Sequence, residues 1–380
     1  MRILHLIIDH QVIERTLGVY EKVFPQCNDV VVFSQTGEYK HLTRYAQSPR
    51  IEPRTSKRSG QNFDFTPYQY VVAHYLTFEM IEFIMSVPKD IHVCWEIYGY
   101  DLYNQFLEPL GYKLQQVDER KYDSLKVRFL KRLGIDGLYL WLRSGNGVRF
   151  APVRNKAFRK ITKRINSVAV CCSGDAKVLE KYSGRRVPVY KSNNYSLHET
   201  LGDLYGKPFN QGGGILIGNS ASLTNNHLYV LDIIKNYNID KQFVIPLSYG
   251  GVVPYKADVM TEYKKLYYKQ TCFLLEYLPL HEYNNIFLEI GVMVLASWRQ
   301  ESIGTTMMGF YLGIKIYMSN RSPLYHSFKE EGFVVFEIES TNAVEFNTPL
   351  TLEQKEHNRA LLLERYSESS FEGELKKQFT

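Results

Sequence analysis

The sequence predicts an α/β protein built from two doubly wound domains, and three observations carry that prediction. Short apolar runs of strand length alternate with longer segments of helix-forming length along most of the chain. The alternation occurs twice, on either side of an Asn/Gly-rich stretch at 191–214. At 380 residues the chain also exceeds one ordinary core and suits two domains of about 150–200 residues each.

In chain order, strands are expected at 2–8, 29–33, 70–73, 91–95 and 167–171. The first reads as a strand and not as a signal peptide, because its apolar stretch meets Asp9 without a small-residue cleavage site. A second series is expected at 215–217, 242–246, 271–274, 292–296, 315–318 and 332–336, with helical gaps such as 305–312. Beyond residue 350 the chain is polar and helix-favouring, with Gly373 its one interruption. These readings give an N-terminal domain at 1–195 and a C-terminal domain at 212–349. A helical region at 350–380 follows, able to pack back on the first domain.

Composition is that of a soluble globular chain, with 44% hydrophobic and 23% charged residues. Five cysteines without a CxxC pair argue against a disulfide framework or a structural zinc site and favour a reducing, cytoplasmic setting. No run reaches the roughly 18 apolar residues of a membrane span, which leaves only peripheral membrane contact. The net charge of +6 is concentrated: from 120 to 164 there are 14 Lys or Arg against two acids, interleaved with Leu, Phe, Tyr and Trp. Such a basic aromatic segment, placed here within 104–164, fits an anionic bilayer surface, each cation contributing on the order of 1 kcal/mol. A nucleic-acid patch and a solvated helix face are the rivals, and no nucleic-acid motif accompanies it. The 29 tyrosines suit sugar or base stacking, but equally an unremarkable compositional bias.

Ligands of open α/β sheets bind outside the carboxyl ends of the strands, where helix N-termini offer free N–H groups. Three strand ends stand out. "ILIGNSASLTNNH" breaks an apolar run at Gly218, and the backbone at Gly218, Asn219 and Ser220 can cradle a diphosphate without a lysine; an ordinary βα turn is the alternative. "SWRQESIGTT" places Arg299, Gln300 and Glu301 before Ile303, Gly304 and Thr305 at a helix start. That set supplies donors for phosphate and acceptors for sugar hydroxyls; the alternative is a capped helix with a charged turn. "CWEIYGYDLYN" sets Glu96 and Asp101 in an aromatic turn, where either is a candidate general base or a surface acid. Asp9, His10 and His74 also fall at strand ends. No DxD triplet and no metal-ligand spacing occurs, which favours a mechanism without metal or other cofactor.

Two such domains facing across a cleft form the GT-B architecture of many nucleotide-sugar transferases. The patches "ILIGNS", "NNH", "FVIPLSYG", "RQESIGT" and "WEIYGYDLY" resemble, in order and spacing, the bacterial TDP-N-acetylfucosamine:lipid II N-acetylfucosaminyltransferase family, glycosyltransferase family 56. The likeness extends from the first strand to about Phe336. It implies a GT-B enzyme at the cytoplasmic face of the membrane that moves a 6-deoxy-amino sugar from a nucleotide to a polyprenyl-diphosphate-linked saccharide of the enterobacterial common antigen type. Carried over residue by residue, Gly218, Asn219, Ser220, Asn225 and His227, then Pro246 and Tyr249, then Arg299, Gln300, Ile303, Gly304 and Thr305, then Asn320 and Arg321, match its C-terminal motifs. Trp95, Gly99, Asp101, Leu102 and Tyr103 match its W-x-x-x-G-x-D-L-Y, and Arg15 with Thr16 fits a weaker pair. Glu96 stands where the family pattern has His, and Glu301 where it has Gln, which leaves donor sugar and base open; the longer segment 104–164 leaves the acceptor open.

The resulting expectation is a glycosyltransferase. Its donor side is Gly218, Asn219, Ser220, Asn225, His227, Tyr249, Gln300, Glu301, Ile303, Gly304, Thr305 and Asn320, and its acceptor side is Asp9, His10, His74, Trp95 and Tyr103. Asp101 or Glu96 acts as base and Arg299 stabilises the leaving group. The partners are a TDP-, UDP- or GDP-linked sugar, a glycan acceptor that can be lipid-linked, and an anionic membrane surface, without nucleic acid. A transferase using a GDP- or UDP-sugar for capsule, O-antigen or protein-linked glycan is the alternative enzyme. A sugar-binding module without activity is the non-enzyme alternative.

Overall fold

The structure is a computed structural model that describes residues 1–10, 12–34, 39–42, 52–53, 63–116, 121–122, 151–192 and 196–379. Two compact units emerge. The first holds the described residues of 1–112 and 151–196 together with 368–379; the second holds those of 113–122 and 197–367.

The first unit is a seven-stranded sheet in the order β3-β2-β1-β4-β5-β6-β7. Its strands and helices alternate as β1 (Ile3–Ile7), α1 (Ile13–Val23), β2 (Asn28–Val32), β3 (Glu52–Pro53), β4 (Tyr70–His74), α2 (Phe78–Ser86), β5 (His92–Ile97), α3 (Ala151–Arg164), β6 (Ser167–Val170), α4 (Ser173–Ser183) and β7 (Val189–Lys191). Every recorded strand pair is parallel, for instance Leu4 opposite Asp29 on one side and Val71 on the other. Parallel sheets are covered on both faces, which is why β1, β4 and β5 read as nearly continuous apolar runs and are buried along most of their length.

The second unit repeats the plan with six parallel strands in the order β10-β9-β8-β11-β12-β13. Its elements are α5 (Leu197–Leu201), β8 (Gly214–Ile217), α6 (His227–Ile234), β9 (Phe243–Pro246), α7 (Val253–Tyr267), β10 (Thr271–Leu274), α8 (Leu280–Phe287), β11 (Ile290–Leu295), α9 (Ile303–Leu312), β12 (Lys315–Met318), α10 (Pro323–Glu330), β13 (Phe336–Glu337), α11 (Ala343–Asn347) and α12 (Leu352–Arg365). Both units show the reversal of strand order typical of dinucleotide-binding sheets, between β1 and β4 in one and between β8 and β11 in the other.

Much of the tyrosine content is explained by packing. Tyr20, Tyr103, Tyr255, Tyr263, Tyr317 and Tyr366 are fully buried. Their hydroxyls find partners, as buried polar groups must: Tyr263 donates to the His227 carbonyl at 3.0 Å and Tyr267 to that of Ile234 at 3.1 Å.

Several expectations are corrected. The strand anticipated at 332–336 shrinks to Phe336–Glu337, and the short strands β3 and β7 were not anticipated. The terminal region breaks at Tyr366 and Ser367, whereas Gly373 lies inside a second helix, α13 (Glu368–Gln378). Helix α13 belongs to the first unit: Phe379 packs edge-on against Tyr20 and Tyr70, and the Gln378 amide lies 2.9 Å from Cys94 Sγ. All five cysteines are free. Among the described residues no helix is long and apolar enough to cross a membrane. The core of the basic aromatic segment, 123–150, lies outside the described residues. Its described end, α3, presents Lys156, Arg159, Lys160 and Lys163 along an open groove.

Candidate functional site

The candidate residues of the second unit converge on its reversal point. Strand β8 is followed by Gly218, whose left-handed φ of +70° favours glycine; a Cβ there would lie 2.8 Å from both Asn225 Oδ1 and His227 Nε2. Asn225 forms the turn from behind, accepting from the Asn219 N–H at 2.8 Å and donating to Ser220 Oγ at 3.0 Å. Asn225 and His227 are buried, at 1% and 0% exposure, so they shape the cradle and do not line it. Burial pushes the His227 imidazole down to about 3, leaving it neutral.

The loop after β11 meets this turn. Glu301 accepts from Thr224 Oγ1 at 2.6 Å and Ser297 Oγ at 3.2 Å, and lies 3.4 Å from Asn225 Nδ2. Its fourth neighbour is the Arg299 guanidinium at 3.3 Å. Glu301, expected to touch the donor, instead ties the two strand-end loops together, and Arg299 meets any ligand with its charge already paired. Ser302, at φ +66°, turns the chain into α9 without a side-chain cap, which leaves the first N–H groups of the helix, at Ile303, Gly304 and Thr305, uncapped. The Ile303 side chain and Gln300 are buried. Asn320 is engaged at the end of β12, its backbone N–H to Glu339 at 2.9 Å and its amide to Glu337 at 2.8 Å.

Beside the turn opens a cleft lined by Asn219, Pro246, Ser248, Tyr249, Leu274, Glu276, Tyr277, Leu278, Leu280, Tyr283 and Thr305. It therefore joins the Gly218 turn and the α9 N-terminus to an aromatic wall. Tyr249 is 51% exposed and Tyr277 79%, flat apolar faces of the kind that stack on a nucleobase. Glu276 is the one charged residue in this lining. Sequence reading missed the 274–283 wall; its signal was the aromatic loop that follows the expected strand at 271–274.

The first unit revises the expected base. Asp101 is 0% exposed and accepts from Trp95 Nε1 at 2.8 Å, Tyr98 N at 3.0 Å and Leu76 N at 3.1 Å. Burial pushes its carboxyl up to about 6 against the pull of those donors. It pins strand β5 to the residues that follow β4 and β5, and it is closed to solvent. Trp95 and Tyr103, expected at the acceptor, are buried as well, Tyr103 donating to Asp175 at 2.6 Å. Glu96 is equally enclosed at 2% exposure: Tyr20 donates to it at 3.1 Å, Ser192 donates to its other oxygen, and His74 Nδ1 lies 2.9 Å away. Burial raises the Glu96 carboxyl, but His74 and these donors outweigh it and hold the group below the usual carboxylate range.

The proton positions follow from the chain of contacts. Asn28 donates its amide to Glu21 and to the Phe24 carbonyl, so its Oδ1 faces His5 Nε2 as acceptor at 3.0 Å. His5 Nδ1 then accepts from His74 Nε2 at 2.9 Å, and the other ring nitrogen of His74, Nδ1, lies 2.9 Å from Glu96. Asp9 is taken up by the backbone N–H groups of Lys40, His41 and Leu42. His10 keeps a half-buried side chain whose Nδ1 has no hydrogen-bond partner among the described residues. Among the described residues no group of three or more His, Cys, Asp or Glu is placed to hold a metal ion.

Solved structures place this arrangement. The Anabaena protein HepE, crystallised with UDP, aligns over 100% of this chain and 99% of its own with a TM-score of 0.63 at 11% identity. A glycosyltransferase from Rickettsia africae aligns over 100% and 97% with a TM-score of 0.58 at 11% identity. The sucrose-phosphate synthase of Thermosynechococcus elongatus aligns over 100% and 98%, TM-score 0.59, at 10% identity. The fold is that of GT-B glycosyltransferases. The family model described as 4-alpha-L-fucosyltransferase, glycosyl transferase group 56, matches residues 198–354. On these findings the protein is a glycosyltransferase with the GT-B fold. The matched span contains the 218–227 and 299–305 motifs but not the 95–103 patch of the first unit.

Proposed function

We propose that this glycosyltransferase takes a 6-deoxy or amino sugar, of the fucose or N-acetylfucosamine kind, from a nucleoside diphosphate and passes it to a glycan acceptor in bacterial surface polysaccharide synthesis. The observation that carries the reading is the cleft at the β8/β11 reversal, where the Gly218 turn, the N-terminus of α9 and the Tyr249/Tyr277 wall line one space. The diphosphate lies on the N–H groups of 218–220 and 303–305, and the nucleoside lies along the tyrosines. Charge on the leaving diphosphate is stabilised by the helix N-terminus and by Arg299 held on Glu301, without a metal ion. The basic groove of α3 supports a peripheral contact with anionic lipid, which brings the enzyme to a lipid-linked acceptor.

The test is thermal unfolding of the chain with TDP, UDP, GDP and CMP, with and without EDTA. A ligand bound only by the native state at about 100 times its Kd adds roughly 2.7 kcal/mol of stability. A shift with one nucleoside diphosphate, undiminished by EDTA, is expected. No shift with any of them overturns the donor site, and a shift abolished by EDTA overturns the metal-free mechanism.

A further inference from the structure

The cleft of the second unit has two ends that differ in chemistry. Beside the Gly218 turn it is lined by Asn219 and Thr305, and away from the turn by the residues that follow β10, among them Glu276 and Tyr277. Tyr249, after β9, joins the two: the Asn219 amide donates to its hydroxyl at 3.4 Å, and its ring is half exposed in the cleft wall. Adjacent strands lie about 4.8 Å apart, so the end of β10, two strands from β8, stands roughly 10 Å from the turn. With a diphosphate on the turn, the ribose spans the end of β9 and the base falls beside the end of β10.

The far end carries a single charge, the exposed Glu276. Other carboxylates at the strand ends of this sheet are taken up by neighbours: Glu301 by Thr224 and Ser297, Glu337 by the Asn320 amide, Glu339 by Tyr229 and the Asn320 N–H. Glu276 differs, since among the described residues no hydrogen bond or ion pair engages it. An ionised carboxylate only accepts hydrogen bonds, and its two oxygens match a pair of adjacent donors. Among the nucleobases guanine offers that pair, N1–H beside the N2 amino group. Adenine and cytosine set one amino group beside a bare ring nitrogen, and uracil and thymine place one N–H between two carbonyls, whose lone pairs oppose a carboxylate. The ribose diol is the other paired donor of a nucleotide, but it lies a strand short of Glu276.

We infer that the site is selective for guanosine diphosphate, with the guanine base against the tyrosine wall and its N1–H and N2 amino group donating to Glu276. The inference rests on the nucleotide-sugar reading above and adds to it the identity of the base. Both parts of the selectivity come from one side chain: the carboxylate attracts the guanine edge and repels the carbonyls of a pyrimidine. The tyrosine faces contribute to affinity but stack on any base, so they do not discriminate.

The experiment is isothermal titration of the whole chain, wild type and Glu276→Gln, with GDP, 2′-deoxy-GDP, IDP, UDP and TDP. GDP and 2′-deoxy-GDP are expected to bind wild type within about 3-fold of each other, because the contact does not involve the ribose. IDP, which lacks the 2-amino group, should bind about 10-fold more weakly than GDP, and UDP and TDP at least as weakly as IDP, the range that a bidentate base contact supplies. Glu276→Gln should lose about 10-fold for GDP and hold its UDP affinity within about 3-fold of wild type. A wild type that prefers UDP or TDP, or a variant with undiminished GDP affinity, overturns the assignment. So does a wild type that binds 2′-deoxy-GDP weakly, with GDP and UDP falling together in the variant, which places the carboxylate on the ribose. In each of those outcomes a nucleotide still binds and the donor reading stands. If no nucleotide binds wild type, the donor reading itself fails and the assignment falls with it.

Discussion

At the scale of single residues, Asp101 shows how position misleads about role. In sequence it is an acid in a tyrosine-rich turn at a strand end; in the fold its two oxygens satisfy three donors, from strand β5 and from the residues after β4 and β5. Replacing it with Asn keeps the shape but puts an amide N–H₂ against N–H donors. The expected cost is about 3 kcal/mol of stability in the first unit, since buried hydrogen bonds to a charged group are worth roughly 1.5–3 kcal/mol each and an unsatisfied donor adds to the loss. A urea melt of Asp101→Asn with the midpoint unchanged, together with a collapse in kcat, would restore it as base. Glu96 follows the same logic, its buried carboxylate engaged by Tyr20, His74 and Ser192.

At the scale of elements, the donor cradle is a strand-to-helix connection whose geometry is fixed by one glycine. Gly218→Ala would have to adopt φ +70° and place a methyl 2.8 Å from Asn225 and His227, both buried. The turn must open, which displaces the Asn219 N–H from its partner and destabilises the second unit by about 1–3 kcal/mol. Nucleotide binding should fall at least tenfold by isothermal titration, a loss of about 1.4 kcal/mol or more. Undiminished affinity would place the diphosphate elsewhere. The sequence signalled this element well, because a glycine that ends an apolar run is a local event. It did not signal the far wall at 274–283, since a loop of Leu and Tyr after a strand becomes a wall only when β9 lies beside β8 and β10 beside β9.

At the scale of the molecule, each unit contains a wholly buried neutral imidazole, His5 in the first and His227 in the second, both pushed down to about 3 chiefly by burial. Unfolded, each would titrate near 6.5. Above that pH both states are neutral and nothing is lost. Below it the unfolded chain takes up a proton that the native state refuses, so stability falls by about 1.4 kcal/mol per pH unit per group as pH drops toward 3. The lowered Glu96 adds to this loss only below about 4.5. Asp101, raised to about 6, runs the other way, contributing fully below 3.8 and losing its contribution as pH rises to 6. Urea midpoints should therefore decline from pH 6.5 to 5, and His227→Asn should flatten the decline by about one proton. An unaltered slope in that variant would show that His227 is not neutral in the fold.

The chain's own order of residues determined two parallel sheets, the glycine-ended turn at 218 and the helix start at 303–305. Each depends on neighbours in sequence: apolar runs of strand length, a φ that only glycine adopts freely, a helix whose first N–H groups lack partners. Tertiary structure alone decided which polar groups stay open to a ligand. The partners of Glu96 lie 76 and 96 residues away at Tyr20 and Ser192, and Thr224 lies 77 residues from Glu301. Whether a carboxylate faces water or buried donors is fixed by which strands become neighbours, and that is a property of the packed sheet, where the cost of desolvating a charge selects the partners that surround it.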